Sequence, residues 1–263
     1  MDEQERFRRE AIRERIAFHT IGAAVAKNAG VGTGILVSDG GRRFVLTAEH
    51  VVRGVALDDI RIWFRPSSAI VEKDARSAVP KDFGGFTFGE SVPFVRAGFV
   101  SERDLAYLEI PSSYVIPHHC LPYDLCKSES FVRWPDERLD GVTVICYGFP
   151  VQNSLEIMTS NGVFNALGSV FHECNYDRKL NDTEWKFLAS EFSSAKDFLI
   201  AYPDSDYVYP KGFSGCGVWA VGGEEVESRV WQPDPLLMGV ARSFVPTRGL
   251  LVASKFPFAR FES

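Results

Sequence analysis

The sequence predicts an all-β fold, either a sandwich or a pair of barrels, preceded by one short helix. Short runs rich in Val, Ile, Phe and Tyr recur from Ile21 onward, and Gly, Asp, Ser and Pro separate them. Few long segments show the 3.6-residue period of an amphipathic helix. Strands at this frequency favour a sandwich or barrels over alternating βα units.

The composition sets limits on size and partners. A chain of 263 residues with 45% hydrophobic residues can bury one large core or two small ones. Its formal charge of -6, with Lys and Arg spread along the chain, predicts no nucleic-acid partner. No apolar run approaches the roughly 18 residues of a membrane-spanning helix, and the charged start does not look like a secretory signal. We therefore expect no membrane partner.

The cysteines indicate a cellular compartment. The chain has five, an odd number, and none lies in a CxxC pair. This pattern fits neither a complete disulfide framework nor a zinc site. His118 and His119 lie near Cys120 and Cys126, but we expect no metal there. A reducing, cytoplasmic location is the resulting prediction.

The first segment predicts an amphipathic helix. Glu5 and Arg9 stand at i,i+4 spacing, and Phe7, Ala11 and Ile12 share roughly one side. We expect this helix to dock on the strand-rich body.

A series of strands is then predicted, and residues 181–195 are expected to form a helical turn or an inserted loop. Examples of the strand segments are IGAAVA, GTGILVS, RRFVLTA, IRIWF, LAYLEI, VTVICYG, DFLIAY, CGVWAV, LLMGVA and GLLVAS.

The distribution of Pro, Ser and polar residues also suggests a domain organisation. Pro, Ser and polar residues concentrate between Pro111 and Asp140, between two strand-rich halves. We predict an N-terminal helix at 1–19, a first β-barrel at 20–125, a linker at 126–140 and a second β-barrel at 141–263.

The first chemical motif is GTGILVSDGGRRFVLTAEHVV, residues 32–52. A strand and a Gly-rich hairpin lead into a second strand, which ends at Thr47 and Ala48 and presents His50. An imidazole at this place can accept a proton near neutral pH. A purely structural histidine is the alternative, which the LTAEHVV context disfavours.

The second motif is RDLAYLEI, in which Asp104 opens a strand. A carboxylate at the mouth of a buried strand loses solvation unless a donor faces it. An imidazole N–H is such a donor, and the pair would fix the tautomer of the ring. A solvated Asp at a strand start is the alternative.

The third motif is KGFSGCGVWA, residues 211–220. Its glycines allow a sharp turn that can aim the N–H groups of Gly212 and Ser214 at one point. Two such donors would stabilise an oxyanion in acyl transfer. A Gly-rich strand connection in which Ser214 merely fits is the alternative, because a GxSG string alone is weak evidence.

Together, TAEHVV, DLAYLEI and GFSGCGVW resemble the hallmarks of the trypsin-like (chymotrypsin-fold) serine proteases, over most of the chain from about residue 20. The resemblance implies two antiparallel six-stranded β-barrels with the site in the cleft between them. It implies Ser214 as nucleophile, His50 as general base and Asp104 as the residue that orients His50. The N–H groups of Gly212 and Ser214 would form the oxyanion hole, and no cofactor or metal is implied.

Two departures from the family pattern stand in the third motif. Phe213 occupies the place where many members have Asp or Asn, and Cys216 stands where a glycine is usual. The chain also begins without an IVGG-like activation sequence. The sequence therefore looks closer to the intracellular, HtrA-related branch than to digestive zymogens.

The resemblance also implies a substrate pocket beside Ser214, formed by Val208, Tyr209, Arg242, Phe244 and Gly249. No Asp occupies its base, so an apolar or aromatic residue before the cleaved bond is favoured. Arg242 and Arg248 leave an acidic preference open, with solvated surface charges as their alternative role.

The sequence thus predicts a serine endopeptidase acting on a protein or peptide substrate, with a regulatory protein as a further partner. The alternative is a catalytically inactive binding or scaffold module on the same fold, since Phe213 and Cys216 alter the nucleophile loop.

Overall fold

Two antiparallel β-structures follow one helix in the computed structural model, which describes residues 3–25, 31–64, 90–126, 143–149, 154–159, 162–167, 170–176, 196–201, 210–221 and 235–255. The predicted helical turn or loop at 181–195, and all but the first residue of the predicted linker at 126–140, lie outside these ranges. In the described part of the chain, no helix has the length and apolar character needed to cross a membrane.

The helices are few and short apart from the first. Helix α1 spans Glu3–His19 and α2 spans Glu49–Val52. Among the described residues, single 3₁₀ turns lie at Leu57–Asp59, Ser101–Arg103 and Pro246–Arg248.

The first sheet has eight strands in the order β5-β4-β1-β2-β3-β7-β6, with β8 parallel to β2. A two-residue turn at Gly40 and Gly41, both with positive φ, joins β2 to β3 as the sequence predicted. The strands are β1 (Thr20–Val25), β2 (Val31–Asp39), β3 (Arg42–Ala48), β4 (Ile60–Trp63), β5 (Glu90–Ser91), β6 (Arg96–Val100), β7 (Leu105–Ile110) and β8 (Tyr123–Asp124).

The second barrel is closed by six antiparallel strands in the order β12-β13-β16-β15-β14-β9, and β10 pairs with β11 as a separate hairpin. The strands are β9 (Thr143–Gly148), β10 (Ser154–Thr159), β11 (Gly162–Leu167), β12 (Val170–Tyr176), β13 (Asp197–Ala201), β14 (Gly217–Val221), β15 (Leu236–Val245) and β16 (Leu250–Lys255).

The prediction of an all-β, two-barrel architecture with a short N-terminal helix is confirmed. The second half closes with the six strands expected. The first half differs in detail, because its described strands form an open path to which the short β5 and β8 are added. The domain boundaries stay predictions.

Helix α1 is anchored between the two halves. Ile16 and Ala17 are fully buried, in a core cluster that also contains strand residues of the first sheet and of the second barrel. At the helix end, the His19 ring stacks on Trp219 of the second barrel at 5.7 Å between centroids. Ile12 packs against the same cluster, but Phe7 does not share this buried face and is 68% exposed.

An ion-pair cluster ties three strands of the first sheet. Glu109 of β7 accepts hydrogen bonds from Arg42 Nε at 2.9 Å and Nη2 at 2.6 Å, and from Arg96 Nε at 2.7 Å. The hydrogen bonds from Arg42, then those from Arg96, lower the pKa of Glu109 from 4.5 to about 2, although partial burial opposes the shift.

The anchoring of α1 predicts unequal effects of two truncations. Ile16→Ala should lower the free energy of unfolding by about 2–4 kcal/mol, because it opens a cavity between the two halves. Phe7→Ala on the same helix is the matched control and should change it by less than about 0.5 kcal/mol. Urea unfolding of both variants measures the difference, and equal losses would contradict the docking of the helix.

The Glu109 cluster predicts a pH-dependent contribution to stability. A carboxyl whose pKa is lowered on folding stabilises the protein above its unfolded pKa, and that contribution is lost as the pH falls towards the folded value. Because solvent screens the partly exposed arginines, Glu109→Gln should lower the free energy of unfolding by about 1–2 kcal/mol near neutral pH, and its difference from wild type should narrow between about pH 5 and pH 2. Urea unfolding across that range measures it; a gap independent of pH would refute the assignment.

Candidate active site

His50 and Asp104 meet at the edge of the first sheet. Strand β3 ends at Ala48, and α2 then presents His50. The His50 Nδ1 atom lies 2.7 Å from Asp104 Oδ2, while Asp104 Oδ1 accepts the backbone N–H of His50 at 3.0 Å. When Nδ1 donates to the carboxylate, Nε2 is left as the nitrogen that can accept a proton.

The backbone at Asp104 is held in an unusual conformation. Asp104 follows the 3₁₀ turn Ser101–Arg103 and has a φ of 50°, the only positive φ of a non-glycine residue among those described. A non-glycine residue in the left-handed conformation costs conformational energy, and it persists only where its surroundings enforce that conformation. The Asp104 carbonyl also accepts the N–H of Glu49 at 3.0 Å. Main chain and side chain of Asp104 thus both hold the first turn of α2.

Glu49 braces this arrangement and was not identified from the sequence. Its buried side chain accepts hydrogen bonds through Oε1 from Arg53 Nε at 2.8 Å and from Ser101 Oγ at 3.0 Å. The i,i+4 spacing of Glu49 and Arg53 in EHVVR is the signal that could have indicated it. The contact links α2 to the turn that precedes Asp104.

The nucleophile loop, residues 210–217, uses its backbone donors selectively. The N–H of Phe213 donates to the Pro210 carbonyl at 2.8 Å, and the N–H of Gly215 donates to the Ala241 carbonyl at 2.7 Å. The N–H of Cys216 donates to the Phe213 carbonyl at 2.7 Å. Within the part of the chain that the structure describes, the N–H groups of Gly212 and Ser214 bond to nothing. These are the two donors that the sequence predicted for an oxyanion, so the loop leaves them available for a ligand.

Thr33 of β2 holds this loop from the opposite side. Its N–H donates to Ser214 O at 2.9 Å, and its Oγ1 donates to Gly212 O at 2.9 Å. The same Oγ1 accepts the N–H of Phe149 at 3.0 Å, and Thr33 O accepts from Thr47 Oγ1 at 2.8 Å. The side chain of this fully buried threonine thereby fixes the Gly212 carbonyl, and its backbone N–H fixes the Ser214 carbonyl.

Gly215 brings the loop against the strand that leads to His50. A Cβ atom at Gly215 would lie 1.9 Å from Thr33 O and 2.3 Å from Thr47 Oγ1, and the residue has a φ of 91°. Only glycine fits both the space and the backbone angle. Ser214 is thus placed beside the end of β3, although no hydrogen bond between Ser214 Oγ and the His50 ring is present among the described residues.

Phe213 and Cys216, the two departures from the family pattern, are explained by packing. Both side chains are fully buried in the core cluster of the second barrel, together with Val144, Cys146 and Ala241 among others. Burial of a phenylalanine side chain stabilises by roughly 2–3 kcal/mol. The loop is therefore held by an apolar anchor where many family members carry Asp.

Arg103, next to Asp104, forms a second connection between the two halves. Its carbonyl accepts a hydrogen bond from Ser254 Oγ at 2.8 Å, and its Nη1 donates to Lys255 O at 2.8 Å. Both partners lie at the end of β16. Asp104 is thus next to a residue that is fixed to the second barrel.

A pocket of about 510 Å³ adjoins Ser214. Its described lining residues are Pro210, Lys211, Ser214, Ala241, Arg242, Ser243, Phe244 and Leu251. Of the residues expected there, Arg242 and Phe244 line it and Gly249 is not part of the described lining. Val208 and Tyr209 lie outside the described residues. Lys211 and Ser243 were missed because the expectation was transferred from family positions.

Solved structures with similar folds include two inactivated protease paralogues of the scabies mite. Paralogue S-D1 gives a TM-score of 0.58 at 15% sequence identity, covering 92% of this chain and 88% of its own. Paralogue S-I1 gives a TM-score of 0.52 at 18% sequence identity, and the match covers 92% of this chain and 90% of the paralogue. A human pathogenic astrovirus serine protease gives 0.45 at 12% identity, covering 94% of each chain. No family model and no curated protein matches the chain.

The two scabies mite structures support the fold that the motifs implied. The chain has a chymotrypsin-like, two-barrel fold, and the likeness covers most of its length. At identities of 15% and 18% the likeness concerns the fold alone, so the chemistry of the site has to be judged from its own residues.

The close approach of Gly215 to Thr33 predicts that a methyl group added at Gly215 strongly destabilises the fold. Gly215→Ala should lower the free energy of unfolding by more than about 3 kcal/mol, because the new Cβ collides with the backbone of Thr33. Gly40→Ala is the control for positive φ without collision, since its Cβ would meet nothing within 4 Å, and it should cost about 1 kcal/mol. Thermal or urea unfolding compares them, and similar losses would contradict the packing.

Proposed function

We propose that this chain is a serine endopeptidase that cleaves peptide bonds through an acyl-enzyme on Ser214. The observation that carries the proposal is the 2.7 Å contact of His50 Nδ1 with Asp104 Oδ2, combined with a loop whose Gly212 and Ser214 N–H groups have no partner among the described residues. Acyl transfer requires these two arrangements together: an oriented base and paired donors for a developing oxyanion.

The reaction follows from the roles of the side chains. Ser214 Oγ attacks the carbonyl carbon of the scissile bond while His50 Nε2 takes the hydroxyl proton. Asp104 stays ionised and stabilises the imidazolium that results. His50 then gives the proton to the leaving amine, and water hydrolyses the acyl-enzyme by the same route in reverse.

The oxyanion donors account for a separate part of the rate. The N–H groups of Gly212 and Ser214 would bind the carbonyl oxygen as it acquires negative charge. Removing one donor of this kind typically costs about 10²–10³ in kcat. Thr33 and Phe213 supply the rigidity that this requires, because they hold the loop before substrate arrives.

A non-catalytic binding module is the second candidate function. Two structures of similar fold are described as inactivated proteases, and no Ser214–His50 hydrogen bond is formed among the described residues. The presence of all three triad side chains favours the enzyme. Catalytic hydrogen bonds are also often long before substrate binds.

The proposal extends to the setting of the enzyme. We place the enzyme near the intracellular, HtrA-related branch of the family because Phe213 precedes the nucleophile and because the cysteine pattern favours a reducing compartment. In that setting we propose a protein or peptide substrate and control by a regulatory protein in the cytoplasm.

The proposal predicts covalent labelling of Ser214 and non-additive losses of activity. A fluorophosphonate probe should label wild type and fail on Ser214→Ala. On peptide substrates, Ser214→Ala and His50→Ala should each lower kcat by roughly 10⁴–10⁶, and the double variant should lose little more. Folding of each variant is checked by urea unfolding. A folded wild type that neither labels nor cleaves would support the binding module instead.

A further inference from the structure

The pocket beside Ser214 offers hydrogen-bond donors. Its described ionisable lining residues are Lys211 and Arg242, both cationic, and no carboxylate belongs to that lining. Ser243 adds a hydroxyl, and the remaining walls include the apolar side chains of Phe244 and Leu251. A ligand group that fits here has an aliphatic stem and a hydrogen-bond acceptor at its end.

Arg242 is held in a fixed position at this wall. Its Nη2 donates to Asp197 Oδ2 at 2.9 Å, and the side chains are only 13% and 3% exposed. Asp197 sits on β13, opposite Ser254 of β16 in the barrel ladder, and is not part of the described pocket lining. The carboxylate that orients Arg242 therefore acts from within the barrel wall, and a fixed guanidinium is well suited to bind a second carboxylate.

Charge balance makes Lys211 important. The Arg242–Asp197 pair is formally neutral, so the uncompensated positive charge of the described lining is that of Lys211. Lys211 is exposed and adjoins Gly212 of the nucleophile loop. Its ammonium can approach a carboxylate in the pocket while most of it remains in water, which avoids a large desolvation cost.

Ser243 supplies an independent observation. Its Oγ is buried and has no hydrogen-bond partner in the described part of the chain. A buried polar group without a partner costs about 1–3 kcal/mol. An acceptor from a bound substrate would remove that cost. An apolar side chain would leave that cost in place, and a lysine or arginine would meet the uncompensated positive charge of Lys211.

We infer that this pocket selects an acidic side chain, Glu or Asp, on the substrate residue before the cleaved bond. The inference rests on the proposed function and names the substrate class of the same site. It differs from the apolar preference expected from the sequence, which rested on the lack of an Asp at the pocket base.

The test uses peptides that are identical except for Glu, Gln, Phe or Lys before the cleaved bond. Wild type should give the highest kcat/KM with Glu, about 10–100-fold above Gln, because hydrogen bonds to a charged group contribute about 1.5–3 kcal/mol. Lys211→Gln should lower the Glu-to-Gln ratio several-fold. Ser243→Ala should lower kcat/KM for the Glu peptide with little effect on the Phe peptide.

Arg242→Gln leaves Asp197 buried without its partner and can unfold the barrel. The double variant Arg242→Gln/Asp197→Asn keeps the pair neutral and should also lose the preference for Glu over Gln. Arg13→Gln, on the exposed face of α1, changes the net charge as Lys211→Gln does. It is the matched control and should leave the Glu-to-Gln ratio unchanged.

The outcomes separate this inference from the proposed function. Cleavage that is fastest with Phe, or equal for Glu and Gln, would overturn the acidic preference while Ser214 remains the nucleophile. A Glu preference that survives the double variant and Lys211→Gln would refute the assignment to these residues. Absence of both cleavage and fluorophosphonate labelling would remove the proposed function, and this inference with it.

Discussion

The hydrogen bonds of Thr33 are the interaction on which the candidate site depends. This buried threonine of the first sheet binds Ser214 and Gly212 of the nucleophile loop and Phe149 after β9. Each contact replaces water at a backbone group that would otherwise be buried without a partner. Thr33 thus fixes the loop through its carbonyls, while the N–H groups of Gly212 and Ser214 have no hydrogen-bond partner among the described residues.

Two sets of contacts join the two halves of the protein. The first comprises the Thr33 hydrogen bonds and the close approach of Gly215 to Thr33. In the second, Arg103 binds the end of β16, while the next residue, Asp104, adopts a left-handed backbone and contacts His50. In each case a residue of the first half that bonds to the second half holds part of the site. Thr33 holds the loop that carries Ser214, and Arg103 holds the chain next to Asp104, which contacts His50. The strain at Asp104 is sustained because its neighbours on both sides are fixed.

The sequence was sufficient to predict the all-β architecture and the N-terminal helix, because strand and helix patterns are local signals. The contact of His50 with Asp104, 54 residues away along the chain, was expected because LTAEHVV and RDLAYLEI resemble motifs of a known family. The sequence did not reveal Thr33, whose partner Gly212 is 179 residues away, nor the Arg242–Asp197 pair, because no motif marks either contact. Such contacts exist only once the barrels are assembled. Phe213 looked like a departure from the motif, because its packing partners in the core of the second barrel, such as Val144 and Ala241, lie far from it along the chain.

The anchoring of α1 has a consequence for how the chain acquires its structure. Ile16, Ala17 and His19 pack against a surface that includes Trp219, which lies about two hundred residues later in the chain. During synthesis the helix leaves the ribosome before the strand that it must contact has been made. Until the second barrel has formed, the side chains of α1 that pack against it, such as Ile16, stay exposed to water. Contacts between residues so distant along the chain slow folding, so the docking of α1 is completed only after the second barrel has formed.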